Sequence, residues 1–198
     1  MIFSHTFKMN YPDSCVSLHK KAMETTLQTK KITPQDVFVT ILEGDDLIKR
    51  FGEEAVKTMK RNRPSGIGFV DQLADLINHH KNKSTRFYEQ QMNLPLYSIR
   101  SFMLVYTGMG FKQWLDKYLA LAARELLIET DLSLDAIGKR LGYSGANSFC
   151  SWYVKVEGVG PSDRRRWDRT KQAKQDAELL LKTKQKLNAS TLPMQDEA

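Results

Sequence analysis

Apolar side chains recur at three- and four-residue spacing in a succession of segments, which is the mark of helices that bury one face. Between Ser14 and Leu27, Val16, Leu18, Met23 and Leu27 follow this rhythm. Thr33-Pro34 then opens a second helix, with threonine as cap and proline in the first turn. Val37, Phe38, Ile41 and Leu42 form its stripe, and Gly44 is expected to end it. A third helix is predicted from Asp45 to Met59, carrying Leu47, Ile48, Phe51 and Val56. Arg63-Pro64-Ser65-Gly66-Ile67-Gly68 breaks the pattern and reads as a linker. An amphipathic helix over Phe69–Asn78 follows, with Val70, Leu73, Ala74 and Ile77 on one side. A long one spans about Lys112 to Thr130 on Trp114, Leu115, Tyr118, Leu119, Ala122, Leu126 and Leu127. The pattern predicts an all-α chain.

Either side of that long helix lies a pair of short helices around a turn. In the second pair Leu134, Ile137 and Leu141 mark the first helix, with Asp131 or Ser133 as its cap and Gly142 at its end. Phe149, Trp152, Tyr153 and Val156 mark the next, which Gly158, Gly160 and Pro161 close. Between these large residues lie Ala146, Asn147, Cys150 and Ser151, small or polar side chains that let a backbone approach base edges. Such a pair is a helix-turn-helix. Residues 84–110 read as another. Ser84 or Thr85 caps a helix bearing Phe87, Tyr88 and Met92, and Pro95 starts a second in which Ile99 and Met103, joined by Phe102 and Tyr106, face inward. Leu96, Tyr97, Arg100 and Ser101 are left for its outer face.

Composition sharpens this picture only in part. A formal net charge of +7 over 198 residues favours a polyanionic partner, nucleic acid ahead of a membrane surface. Two cysteines, Cys15 and Cys150, sit far apart without metal-ligand spacing, which fits free thiols in a reducing compartment. The first residues lack a signal-peptide pattern and no apolar run is long enough for a membrane span, so a cytoplasmic protein is expected. After Trp167, alternating charge with few apolar residues predicts a solvated helix that frays from Asn188 onward.

The paired motif resembles the C-terminal double helix-turn-helix domain of AraC/XylS-type transcription regulators. Ser133, Leu134, Ile137, Leu141-Gly142-Tyr143, Ser148-Phe149, Tyr153, Gly158, Pro161 and Arg164 stand at the family's motif positions, and the likeness spans about Gly68 to Arg166. Gly138 replaces the usual alanine, and Arg164-Arg165-Arg166 replaces a Tyr-Arg ending. In the first unit Asn93 stands where the family has a turn glycine, and asparagine is the next best residue for a left-handed backbone. Glu89 stands where one branch of the family has alanine. The short N-terminal stretch does not resemble the jelly-roll sensor that many members carry, so no sugar binding is inferred.

The resemblance implies three regions: an N-terminal helical unit over 1–64 for interaction or dimerisation, a double helix-turn-helix over 68–167, and a charged tail over 168–198. It implies binding of duplex DNA by two recognition helices in successive major-groove segments. Leu96, Tyr97, Arg100, Ser101, Ala146, Asn147, Cys150 and Ser151 would face the groove, while Lys155, Arg164, Arg165 and Arg166 would serve phosphates. Arg100 suits a guanine edge and Asn147 an adenine edge, since each side chain can make two hydrogen bonds to that base. RNA polymerase or a second copy of the chain, met through residues 1–64, is the further partner expected. The alternative is an adaptor that keeps the fold without reading DNA. Enzymatic chemistry finds no support: His79-His80 has no ligand partner at metal spacing, and Gly108-Met109-Gly110 lacks the third glycine of a dinucleotide loop. No cofactor is implied.

Overall fold

The computed structural model describes residues 31–190, with side chains described as far as Thr183. The helix expected over 14–27 lies outside the described residues. Ten helices and no strand are found among the described residues, in agreement with the all-α expectation. In chain order they are α1 (Pro34–Val37), α2 (Gly44–Phe51), α3 (Glu53–Thr58), α4 (Gly68–His80), α5 (Thr85–Gln91) and α6 (Ser98–Thr107), then α7 (Phe111–Glu129), α8 (Leu134–Arg140), α9 (Ala146–Glu157) and α10 (Pro161–Ser190).

The nineteen-residue α7 is the axis of the molecule. Its apolar stripe is so broad that Trp114, Leu115, Tyr118, Leu119, Ala122, Ala123, Leu126 and Leu127 are all fully buried. A helix this apolar needs cover on more than one side. α6 packs on it from the first helix-turn-helix, and α8, α9 and α10 pack on it from the second. Residues 32–63 supply the rest, placing Val37, Ile41, Leu42 and Leu47 in the same core.

That last contact changes the expected organisation. The chain divides into compact units between Lys31 and Ile32 rather than at the Pro64-Gly66 stretch. Residues 32–63 are fastened to α7 by polar bonds as well. The Glu125 carboxylate accepts from the Thr40 hydroxyl (2.8 Å) and the Ile41 N–H (2.7 Å). The Tyr118 hydroxyl donates to Asn62 (2.6 Å) and accepts from Asn78 (3.2 Å), and the Trp114 indole donates to the Ile32 carbonyl (3.2 Å). Burial pushes the Tyr118 hydroxyl up to about 12 and raises the Glu125 carboxyl above its ordinary value.

The same bonds explain two departures from the expected helices. The helix opened by Pro34 begins as predicted, with Asp36 accepting from the Thr33 N–H (2.9 Å), but it stops at Val37 instead of reaching Leu42. Val37, Val39, Thr40 and Ile41 are β-branched and stiff in a helix. The extended alternative satisfies their backbone through the Phe38–Asn62 bridge, the Arg61 carbonyl and Glu125. The helix predicted over 45–59 is two, α2 and α3, because Gly52 takes φ +81°, a backbone that a continuous helix excludes. Gly44 begins α2 rather than ending a helix.

The two helix-turn-helix units also meet away from α7. Between α4 and α5, the Asn82 N–H donates to the Leu141 carbonyl of the second unit (3.1 Å). Glu43 pairs with Arg140 of α8 (3.3 Å) and lies 3.8 Å from the ammonium of Lys81. Burial lowers the Lys81 ammonium to about 8, with Glu43 opposing that shift. The frame between the units is therefore braced at two places.

Candidate nucleic-acid interface

The two helix-turn-helix units follow one plan. Ser84 caps α5 by accepting from the Phe87 N–H (3.3 Å), and Ser133 caps α8 by accepting from the Ala136 N–H (3.1 Å). Asp131 plays no such part; its carboxylate pairs with Arg169 (3.0 Å). The turns pass through left-handed residues at equivalent places, Asn93 (φ +51°) and Gly142 (φ +87°), as expected for both. Each second helix then buries two residues a turn apart, Ile99 with Met103 in α6 and Phe149 with Tyr153 in α9. Gly108 and Gly158 end them in left-handed caps.

The units differ where their helices cross. In the second, Gly138 has no room for a side chain: a Cβ there would meet the Phe149 Cβ at 2.9 Å and the Gly145 carbonyl oxygen at 3.0 Å. The equivalent residue of the first unit is Glu89, 3% exposed, and its Oε1 has no hydrogen-bond partner. α5 and α6 are also less closely packed than α8 and α9. A cleft of about 530 Å³ results, walled by Glu89, Leu96, Tyr97, Arg100, Phe111 and Lys112 among others.

The start of the first recognition helix is displaced too. It was expected at Pro95, but α6 begins at Ser98 because Tyr97 takes φ +67°. Leu96 and Tyr97 consequently stand on the turn, 57% and 78% exposed, and Arg100 and Ser101 lie on the outer face of α6. Arg100 makes no hydrogen bond or ion pair within the described residues. On α9, Asn147, Ser151 and Lys155 are exposed, while Ala146 and Cys150 are half-buried beside them. The structure thus sets Arg100 and Ser101 on the outer face of α6, Leu96 and Tyr97 on the turn before it, and the other four candidates on α9.

The arginine triplet is placed differently from the sequence expectation. The closing loop is only Gly158–Gly160, since Pro161 at the first position of α10 and Asp163 in its first turn start a helix at once. Arg164 and Arg124 both bond the Asp168 carboxylate (2.7 and 3.0 Å). Burial of Asp168 opposes ionisation, but these two guanidinium groups outweigh it and hold the carboxyl below its ordinary value. Arg165 donates to the Leu127 (3.2 Å) and Leu132 (2.6 Å) carbonyls, closing the end of α7. Arg166 is exposed and pairs with Asp163 (2.5 Å). Arg164 and Arg165 therefore spend donors on the protein, and Arg166 is the freest of the three.

Sequence reasoning passed over the outer face of α7. Lys112, Gln113, Lys117 and Arg124 are exposed along it. With Lys155 they line a groove of about 790 Å³ between α7 and α9, floored by Trp152, whose indole donates to Asp116 (2.8 Å). The signal was present as the polar complement of the α7 apolar stripe, at positions 112, 113, 117 and 124.

Comparison with known proteins finds domains similar to this arrangement. A helix-turn-helix domain model matches residues 89–166. The match runs from the end of α5 through α9 into the start of α10. Regulatory protein PocR of Salmonella typhimurium is 35% identical over 60 residues, which cover 30% of this chain and 20% of that protein. The chain thus spans about a fifth of the length of that relative. Among solved structures, the C-terminal domain of AraT, a response regulator from Geobacillus stearothermophilus, is 24% identical, with 52% of this chain and 88% of that one covered at a TM-score of 0.48. The DNA-binding domain of AdpA, a global transcriptional factor solved with a target DNA, is 19% identical over 52% of this chain and 92% of that one, at a TM-score of 0.46. No helix among the described residues is long and apolar enough to cross a membrane, and no group of His, Cys, Asp and Glu there is placed to hold a metal.

Proposed function

We propose that this protein binds duplex DNA in a sequence-specific manner and regulates transcription, with α6 and α9 entering successive major-groove segments on one face of the duplex. The observation that carries this reading is the pair of helix-turn-helix units on one braced frame, each presenting an exposed second helix. At about 1.5 Å per residue, nineteen-residue α7 is roughly 28 Å long, close to the ~34 Å of one duplex turn. Bending of the duplex absorbs the remainder at a cost that depends on its sequence.

Base reading falls to Arg100, Tyr97, Leu96 and Ser101 in the first unit and to Asn147, Ala146, Cys150 and Ser151 in the second. Lys155 and Arg166 serve phosphates, joined by Lys112 and Lys117 on the strip of α7 that lies between the two reading helices. The adaptor alternative is less favoured, because the family match spans both units rather than one. Residues 1–64 would meet a second copy or RNA polymerase, and the fastening of residues 32–63 to α7 would carry such a contact to the DNA-facing frame.

Selection of bound sequences from random duplexes, repeated with Arg100→Ala and Asn147→Ala, tests the reading. It requires a motif of two blocks about one turn apart, each relaxed by one variant. Affinity must also fall steeply with salt, as phosphate contacts displace counterions. Absence of any enriched motif at physiological salt refutes it.

A further inference from the structure

A buried carboxylate with no donor is costly, so native proteins seldom keep one without a use. Glu89 is 3% exposed and its Oε1 is buried without a donor. The equivalent position of the second unit is glycine, and there the two helices close tightly. Glu89 instead lines a cleft in the first unit, with its Oε1 buried and without a hydrogen-bond partner.

The donors around the same cleft are Arg86, Arg100 and Lys112. A free cation is a poor occupant, because these three positive groups ring the cleft and repel it. Lys112 is engaged with Asp116 (2.8 Å). Arg86 is exposed on Glu89's own helix, three residues earlier. Arg100 stands on the facing recognition helix, without a partner among the described residues, and the exposed Leu96 and Tyr97 lie on the turn just before it.

We infer that Glu89 is a positioning residue for Arg100: when the first unit docks on a duplex, the Glu89 carboxylate takes one edge of the Arg100 guanidinium and aims its other edge at a guanine. The inference rests on the DNA-reading proposal above. Its chemistry follows from the guanidinium fork, which has five N–H donors and can satisfy a carboxylate and a base acceptor pair at once. The duplex closes the mouth of the cleft and expels water from it. That exclusion strengthens the carboxylate–guanidinium attraction at the moment it is needed. Glu89 would thus weaken the free fold in exchange for a preordered reading head.

The experiment compares the full chain with Glu89→Ala, Glu89→Gln, Arg100→Ala, Arg86→Ala and the double variant Glu89→Ala/Arg100→Ala. Two readouts are taken, thermal melting and base preference in selection from random duplexes. Glu89→Ala is expected to melt no lower than wild type, since it removes an unpaired buried charge. It is nonetheless expected to lose about tenfold discrimination at the same base pair as Arg100→Ala, in line with one bidentate contact. The double variant should be no worse than Arg100→Ala alone, and Glu89→Gln should retain part of the preference. Three results overturn the inference: an unchanged preference in Glu89→Ala, a loss that adds to that of Arg100→Ala, or a loss reproduced by Arg86→Ala in place of Arg100→Ala. If wild type itself enriches no motif, the DNA-reading proposal falls and this inference with it. A wild-type motif that survives Glu89→Ala removes this inference alone.

Discussion

The two helix-turn-helix units share caps, turn geometry and the spacing of their buried residues, yet they divide quality of construction from chemistry of contact. The second is tightly built: Gly138 lets α8 and α9 touch, and Phe149 and Tyr153 are fully buried beneath α9. Behind it, α10 is pinned to α7 by Arg124, Asp168 and Arg164. Its outer face offers mainly small or uncharged groups, Ala146, Asn147, Cys150 and Ser151. The first unit is looser, with Glu89 in its crossing, a cleft of about 530 Å³ and a recognition helix that begins only at Ser98. Its face carries Arg100, the side chain best suited to a guanine edge. Under the DNA-reading proposal, a well-packed recognition helix and a discriminating one need not coincide in one unit.

Copying the glutamate of the first unit into the second is the most severe way to break this contrast. Gly138→Glu places a side chain where even a Cβ meets Phe149 at 2.9 Å, and it buries a charge with no donor. Overpacking and the unpaired charge together should cost roughly 4 kcal/mol or more, seen as loss of the cooperative melt. Next in size is the support behind the second unit. Asp168→Ala leaves Arg124 and Arg164 without their shared carboxylate and should cost roughly 3 kcal/mol in chemical denaturation. Because the folded-state carboxyl of Asp168 is held low, its contribution is complete above the ordinary aspartate range near pH 4. It is lost as the pH falls through the lower folded value, so the variant should show a shallower acid limb than wild type.

On DNA the order of the units reverses. Arg100→Ala should cost about 1–3 kcal/mol of discrimination at one base pair, and Asn147→Ala less, measured by binding to single-substituted duplexes. The smallest effects belong to the turns. Gly142→Ala forces a side chain into a left-handed backbone and 3.1 Å from the Asn82 nitrogen, which should cost about 1–2 kcal/mol in thermal melting. Asn93→Gly, at the equivalent turn, should change stability by no more than about 0.5 kcal/mol.

Much of this fold was legible from spacing alone. The stripe of α7, the serine caps and the left-handed roles of Asn93 and Gly142 depend on local rules that short windows express. The failures share a different cause. The helix from Pro34 stops early because Glu125, far along the chain, offers its carboxylate to Thr40 and Ile41. The segment before Pro64 looked separable because its apolar residues say nothing about which surface they meet, and that surface is α7. Three consecutive arginines advertise charge, but not that a carboxylate bonds Arg164 and two carbonyls bond Arg165. Of the proposed contact face, the residues on α6 and α9 carry motifs. Lys112 and Lys117 carry none, being only the polar complement of the buried stripe of α7.

The central claim is that both units read sequence while held on one stiff frame. Titration of the full chain against its selected duplex, with either block scrambled or with five base pairs inserted between the blocks, tests it most directly. The account predicts that scrambling either block weakens binding and that the half-turn insertion weakens it as much as losing a block, because α7 and the Asn82–Leu141 brace hold both helices on one side. Binding that is indifferent to the insertion, or to the sequence of both blocks, would contradict it.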